Sequence, residues 1–499
     1  MIYSPLRTLG MAVAVALTTL APIVHGAQAA ALTECRVPGI GNSVQCGVLQ
    51  RPLDPSKPEG TKIAVHYVVV PAMARRKLPD PVFVLAGGPG QSAISIAPQT
   101  LALFARLHNR RDLVFVDQRG TGKSAPLACD DPQHEPLVEQ SDPDRQFERL
   151  MDCKAALLKL PYIQQPADLG LFTTTLAMQD LDAVRRELGA ARINLVGGSY
   201  GTRAALEYMR QFPTAVRSAV LDGVAPPDMV LPTSVSTDAQ AVLDALLVAC
   251  EREPACAKTY PKLRADWAAL LASVPKEVTA PNPLTGTPEH FTLTRDMLLS
   301  AIRGPLYAPA VAAALPAAIT AAAHGRVEGL VGMGALLSSR SGSELAMGMH
   351  FSVVCAEDMP LLDPQRGTRN PPGRDFGKSF ADLYRRVCSS WPRGAVPALF
   401  YQVPASRTPA LLLAGGLDPV TPPRHAARVA QALGTSAHLV VVPNAGHGVM
   451  GIGCVRDVIF RFIDSADDAD AAPVDASCVK RIPRPGVFLP ITLGAGDRP

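Results

Sequence analysis

Three residues of this 499-residue chain are placed to do chemistry together: Ser199, Asp418 and His447. Ser199 stands in Gly197-Gly198-Ser199-Tyr200-Gly201, the pattern G-x-S-x-G. Flanking glycines permit a tight turn from a strand into a helix, and such a turn pushes the serine hydroxyl out above a sheet. The five-residue pattern is weak by itself in a chain with 39 glycines, but its context is specific. The apolar run Ile193-Asn194-Leu195-Val196 precedes it, and Ala204-Ala205-Leu206-Glu207-Tyr208-Met209 follows with helical character. A serine hydroxyl is a poor nucleophile. It needs a base to take its proton, a carboxylate to orient the base, and donors for the developing oxyanion.

Candidates for each part follow in chain order. Asp418 lies just past the apolar run Leu411-Leu412-Leu413-Ala414, in Gly415-Gly416-Leu417-Asp418-Pro419. His447 lies past the next run, His438-Leu439-Val440-Val441-Val442, in a glycine-flanked loop, Gly446-His447-Gly448. Asp222 also follows an apolar run and is a rival orienting acid; the order Ser, Asp, His favours Asp418. For the oxyanion, the Tyr200 backbone N–H and the Gly88 N–H of Ala86-Gly87-Gly88-Pro89-Gly90 are the candidate donors. Gly122-Lys123-Ser124 invites a phosphate-loop reading, which fails because Asp117 occupies the position of the first glycine. The stretch 117–124 reads as a structural turn beside the site, with Asp117 and Arg119 ion-paired.

The elements that must position these residues read as an α/β pattern. Residues 47–52 and 62–70 alternate like an antiparallel hairpin. Residues 81–86, 112–116, 193–198, 218–222, 409–414 and 438–442 are short apolar runs suited to strands buried on both faces. Helical spacing separates them, at 93–108, 145–158, 174–188 and 454–465. Strands alternating with helices predict a mostly parallel sheet, whose sites form at the strands' C-terminal edge. From residue 225 to 350 the rhythm changes to alanine-rich helices (239–250, 262–272, 294–303, 308–323), which read as an inserted lid. The stretch 308–323 is too short for a membrane span and carries Pro316.

Residues 1–29 read as a signal peptide. Arg7 is the basic start, residues 9–24 are apolar, and Ala27-Gln28-Ala29 is a cleavage site. A retained anchor and a lipidated Cys35 are the weaker readings. Residues 30–224 and 351–499 are then the two parts of one core, interrupted by the lid. A formal net charge of +4, evenly spread, is too little to suggest a nucleic-acid partner, and none is expected. After signal cleavage no membrane association is expected, the location is periplasmic or secreted, and the oligomeric state is open. Ten cysteines without C-x-x-C point to disulfides rather than zinc, and their close consecutive spacing favours sequential pairing from Cys35–Cys46 to Cys454–Cys478.

The motifs together resemble a known family. Gly87-Gly88-Pro89-Gly90, Asp117-Gln118-Arg119-Gly120-Thr121-Gly122, Gly198-Ser199-Tyr200-Gly201-Thr202, and the C-terminal Gly415-Gly416-Leu417-Asp418-Pro419-Val420-Thr421 and Gly446-His447-Gly448 resemble the prolyl iminopeptidase and tripeptidyl aminopeptidase family of α/β-hydrolases. The resemblance implies an α/β-hydrolase fold with an inserted helical lid. It implies an exported serine hydrolase that acts on peptide N-termini, with Ser199, Asp418 and His447 as the triad, Gly88 and Tyr200 as oxyanion donors, and no metal or cofactor. Ala86 stands where prolyl iminopeptidases usually carry His, which favours the tripeptidyl-aminopeptidase-like branch. An aminopeptidase must also hold a cationic α-amino group, and Glu357 and Asp358 are candidates for that role. The alternatives are a carboxylesterase using the same triad, or a non-catalytic binding protein on this fold.

Overall fold

The computed structural model describes residues 1–2, 32–130, 135–340, 345–362, 373–465 and 474–490. Apart from residues 1 and 2, the expected signal peptide lies outside them. Strands run in chain order as β1 (Thr33–Cys35), β2 (Val44–Pro52), β3 (Lys62–Val70), β4 (Val82–Leu85), β5 (Leu113–Val116), β6 (Ile193–Gly198), β7 (Val216–Asp222), β8 (Lys276–Pro281), β9 (Pro288–Leu293), β10 (Ala410–Gly415) and β11 (Ala437–Val442). Nine of these form one sheet in the order β1-β2-β3-β5-β4-β6-β7-β10-β11. From β5 onward every neighbouring pair is parallel, while β1, β2 and β3 pair antiparallel and β3 joins β5 antiparallel. This is the α/β-hydrolase fold.

The continuous apolar runs explain the sheet's position. In β4, Phe83 and Leu85 pack into the core on one face while Val82 and Val84 pack into the core on the other. β6 divides the same way, with Ile193 and Leu195 on one side and Val196 on the other. A strand covered on both faces has no use for polar alternation, so it reads as a solid apolar block. The helix Thr174–Glu187 and the helix Tyr200–Gln211 cover the first face through Met178, Leu181, Val184, Leu206 and Met209.

Residues 223–409 leave the sheet after β7 and return to it only at β10. This insertion holds its own apolar core, including Leu243, Leu247, Trp267, Phe291, Leu298 and Ile319. It is not purely helical: β8 and β9 form an antiparallel hairpin within it. Val278 and Ala280 alternate inward between exposed Lys276, Glu277 and Thr279, a strand pattern that the surrounding alanine-rich helices concealed. The boundary expected at residue 350 falls inside the helix Met347–Glu357, whose residues from Gly348 to Glu357 are all buried. The run 308–323 is two helices, Pro309–Ala312 and Leu315–Ala323, each with proline in its first turn, where its missing N–H costs nothing. All ten cysteines are paired, and consecutively: Cys35–Cys46, Cys129–Cys153, Cys250–Cys256, Cys355–Cys388 and Cys454–Cys478.

Asp117 and Arg119 are not paired with each other. The Arg119 guanidinium is fully buried and donates to both carboxylate oxygens of Asp180, at 2.8 and 3.1 Å, and to the carbonyls of Leu53 and Leu171. Asp117 instead accepts from Ser92 Oγ at 2.6 Å and from the N–H groups of Ile94 and Lys123. Both charges are buried, and each takes the partner set that satisfies several of its donors or lone pairs at once. Asp180→Ala strands Arg119 without its carboxylate, so a loss of about 3–5 kcal/mol is expected. Urea unfolding of the two proteins under identical oxidising conditions measures it.

Candidate active site

The turn at Ser199 is set by backbone geometry. Ser199 has φ 55° and ψ −123°, a left-handed region that costs a non-glycine residue on the order of 1–3 kcal/mol. Its N–H donates to the Asp222 carbonyl at 2.8 Å, and its own carbonyl accepts from Thr202 Oγ1 at 2.6 Å. A side chain at Gly197 would collide with the Gly201 carbonyl, and one at Gly201 would collide with the Leu85 carbonyl. The glycines of the pattern are therefore required by close backbone approach on both sides of the serine.

The loop after β4 lies against this turn. A Cβ at Gly87 would sit 3.3 Å from Ser199 Cβ. The Gly87 N–H donates to Gln91 Oε1 at 3.2 Å. Gly88 has φ 108°, a conformation open to glycine. Gly88, Ser199 and Tyr200 all line one cavity of about 580 Å³. Tyr200 is the first residue of the helix Tyr200–Gln211, where amide N–H groups have no partner within the helix.

His447 and Asp418 meet beside them. His447 Nδ1 lies 2.8 Å from Asp418 Oδ2, and His447 also lines the cavity. Asp418 is buried and accepts from the Val420 and Thr421 N–H groups, each at 2.8 Å, and from Thr421 Oγ1 at 2.8 Å. The loop carrying His447 is anchored by its own N–H, which donates to the Tyr307 carbonyl at 2.9 Å. Burial alone would raise the Asp418 carboxyl, but the charge and hydrogen bond of His447 and the two backbone donors hold it below the usual carboxylate range. Burial alone would lower His447, but Asp418, and then Asp222, hold the imidazole above its usual value.

Asp222, the rival acid, does not touch the imidazole. Its Oδ2 accepts from the N–H groups of Val449 at 2.7 Å and Met450 at 2.9 Å, so it fixes the segment that follows His447. Burial pushes its carboxyl up to about 6. Sequence reasoning missed Thr421 and Tyr307. The Thr at the third position after Asp418 carried a signal, since such residues close local side-chain turns. Tyr307 comes from the insertion and carried none.

Glu357 and Asp358 are not brought to the cavity wall. Both are buried, and neither lines the cavity. Asp358 takes both terminal nitrogens of Arg203, at 2.8 and 3.2 Å, and the Leu231 N–H at 2.8 Å. Glu357 accepts from the Thr174 N–H at 2.8 Å and from Thr174 Oγ1 at 2.9 Å, and burial pushes its carboxyl up to about 7. Asp358 thus takes three donors and Glu357 two from the frame, and neither of these expected amine-binding carboxylates reaches the cavity wall.

A strained serine at the end of a parallel strand, on one cavity with a histidine held by a buried aspartate, accompanies the α/β-hydrolase fold of this chain. Comparison with known proteins agrees. A family model described as alpha/beta hydrolase fold matches residues 80–291, and one described as TAP-like protein matches residues 373–477. The tripeptidyl aminopeptidase of Streptomyces lividans is 30% identical over 194 residues, 37% of this chain and 36% of that protein. The match thus spans little more than a third of that relative's length. Serine protease Hip1 of Mycobacterium tuberculosis is 25% identical over 474 residues, 86% of each chain. The chain has the α/β-hydrolase fold and is similar to the tripeptidyl aminopeptidases and to serine protease Hip1.

A base with a raised pKa loses activity as the pH falls through that pKa. Hydrolysis is expected to show an acid limb with its midpoint above about 6.5. Asp418→Asn removes the main influence that raises His447, so the midpoint moves down and kcat falls by about 10³–10⁴. Pre-steady-state and steady-state rates from pH 5 to 9 test both.

Proposed function

We propose that the protein is an exported serine exopeptidase of the aminopeptidase type, with Ser199 as nucleophile, His447 as general base and Asp418 as the orienting acid. The observation that carries the reading is the joint placement of Ser199 and His447 on one cavity with Asp418 behind the imidazole. His447 Nδ1–H donates to Asp418, which leaves Nε2 free to take the Ser199 proton. The alkoxide adds to the scissile carbonyl, and the oxyanion is met by the N–H groups of Gly88 and Tyr200. His447 returns the proton to the leaving amine, the C–N bond breaks and an acyl-enzyme remains. Water, deprotonated by His447, then releases the acid and regenerates Ser199.

Helices of the insertion roof the cavity through Leu231, Val235, Arg303, Tyr307, Phe380 and Tyr384. A roofed site admits the end of a peptide more readily than the middle of one, which supports an exopeptidase. Five disulfides support export to a periplasmic or extracellular place. One observation favours carboxylesterase activity as the second reading: the carboxylates first assigned to the substrate amine are tied into the frame.

Hydrolysis of free and N-blocked aminoacyl, dipeptidyl and tripeptidyl amides, beside simple esters, separates these. Free-amine peptidyl amides are expected to be cleaved, with the N-blocked forms at least about tenfold poorer in kcat/KM. Cleavage of esters alone ends the peptidase reading. A fluorophosphonate is expected to label wild type and not Ser199→Ala; an unlabelled wild type favours a non-catalytic binding protein.

A further inference from the structure

The cavity's charges are unequally matched. Arg203 lines it but is neutralised by Asp358. Asp222 lines it but is 1% exposed and holds the Val449 and Met450 amides. His350 lines it, and its two ring nitrogens are bonded to the Pro89 carbonyl at 3.1 Å and to the Tyr384 hydroxyl at 2.7 Å. Burial holds that imidazole below its usual pKa. Arg303 differs. Its guanidinium lies 4.8 Å from the centre of the Phe380 ring, and among the described residues no carboxylate lies within ion-pair distance of it.

Arg303 is also close to the reacting groups. It belongs to the last turn of the helix Arg295–Leu306, and Tyr307 follows one turn later on the same side. The Tyr307 ring packs edge-on against the His447 ring at 5.3 Å between centres, and its carbonyl holds the His447 N–H. The Tyr307 hydroxyl, which feels the positive charge of Arg303, has no hydrogen-bond partner among the described residues. A helix C-terminus favours a cation there, and the Phe380 ring shelters one, but neither supplies an acceptor for five guanidinium N–H groups. Two unmatched donors on one apolar cavity fit a planar anion with two oxygens.

We propose that Arg303, with the Tyr307 hydroxyl, forms a subsite that binds a carboxylate of the substrate beside Ser199. This rests on the hydrolase reading of Ser199 and narrows its substrate class to chains that bring a carboxylate into the cavity. That carboxylate is either an acidic side chain in the acyl part or the free C-terminus of a short peptide in the leaving part.

Three matched substrate pairs test it: tripeptidyl p-nitroanilides ending in Glu or Gln, short peptides with a free or amidated C-terminus, and p-nitrophenyl esters of glutaric or butyric acid. Wild type is expected to prefer the carboxylate member of at least one pair by about tenfold or more in kcat/KM. The first pair reports a side-chain source and the second a C-terminal source. In Arg303→Gln that ratio collapses toward one, with the change carried mainly by KM, and Arg303→Lys restores part of it. Fluorophosphonate labelling checks that each variant is folded at Ser199. Ratios near one in all three pairs for wild type overturn the subsite, as does a preference that survives in Arg303→Gln. If no peptide is cleaved but the ester pair shows an Arg303-dependent preference, the subsite stands and the peptidase reading falls. If peptides are cleaved without regard to charge and the ester pair shows no preference either, the subsite falls and the peptidase reading stands.

Discussion

One buried guanidinium holds the site to its roof. Arg203 sits one turn after Ser199 on the helix Tyr200–Gln211 and donates to both oxygens of Asp358 and to the Met229 carbonyl. Asp358 in turn accepts the Leu231 N–H. Met229 and Leu231 mark where the insertion leaves the sheet region, and Asp358 ends the buried helix Met347–Glu357. Three separate segments therefore converge on one charge. Stripping water from such a pair costs several kcal/mol per ion, which the two-point pairing and the added backbone contacts offset. Breaking the set leaves an unmatched charge in the interior, so the segments are fixed together or not at all.

The neighbouring contacts extend the same frame to the nucleophile. Glu357 holds the first turn of the helix Thr174–Glu187 through Thr174, and Thr174 Oγ1 lies 2.7 Å from the Tyr200 hydroxyl. Tyr200 thus presents its amide beside Ser199 while its side chain is locked from behind. Strain at Ser199 persists because the surrounding elements over-determine it. Asp222 performs the matching task on the other side, where it clamps the amides after His447. Two carboxylates that resemble functional groups by type and position are thereby parts of the scaffold that keeps the functional groups in register.

The division of labour follows the topology. The parallel sheet delivers Ser199, Asp418 and His447 from the ends of β6, β10 and β11, at one edge. The insertion, with its own apolar core, supplies Arg303, Tyr307, His350, Phe380 and Tyr384 to the cavity wall. The proposed cleavage machinery thus sits on the sheet, and the proposed carboxylate subsite on the insertion.

The local signals were legible because each is a short-range demand on the backbone. Solid apolar runs marked the doubly covered strands, and the glycines at 197 and 201 marked the turn at Ser199. Chain order then placed Asp418 and His447, and consecutive cysteine spacing matched the observed pairing. The hairpin β8–β9 was hidden because its alternation is brief and lies among helices. The partners of buried charges were not legible at all. Arg119 chose Asp180, 61 residues away, over Asp117, and Asp358 chose Arg203 over a substrate amine. Local sequence determines which backbone shapes are allowed, whereas the partner of a buried charge depends on which donors and acceptors the folded chain brings within 3 Å, and that only the tertiary structure decides.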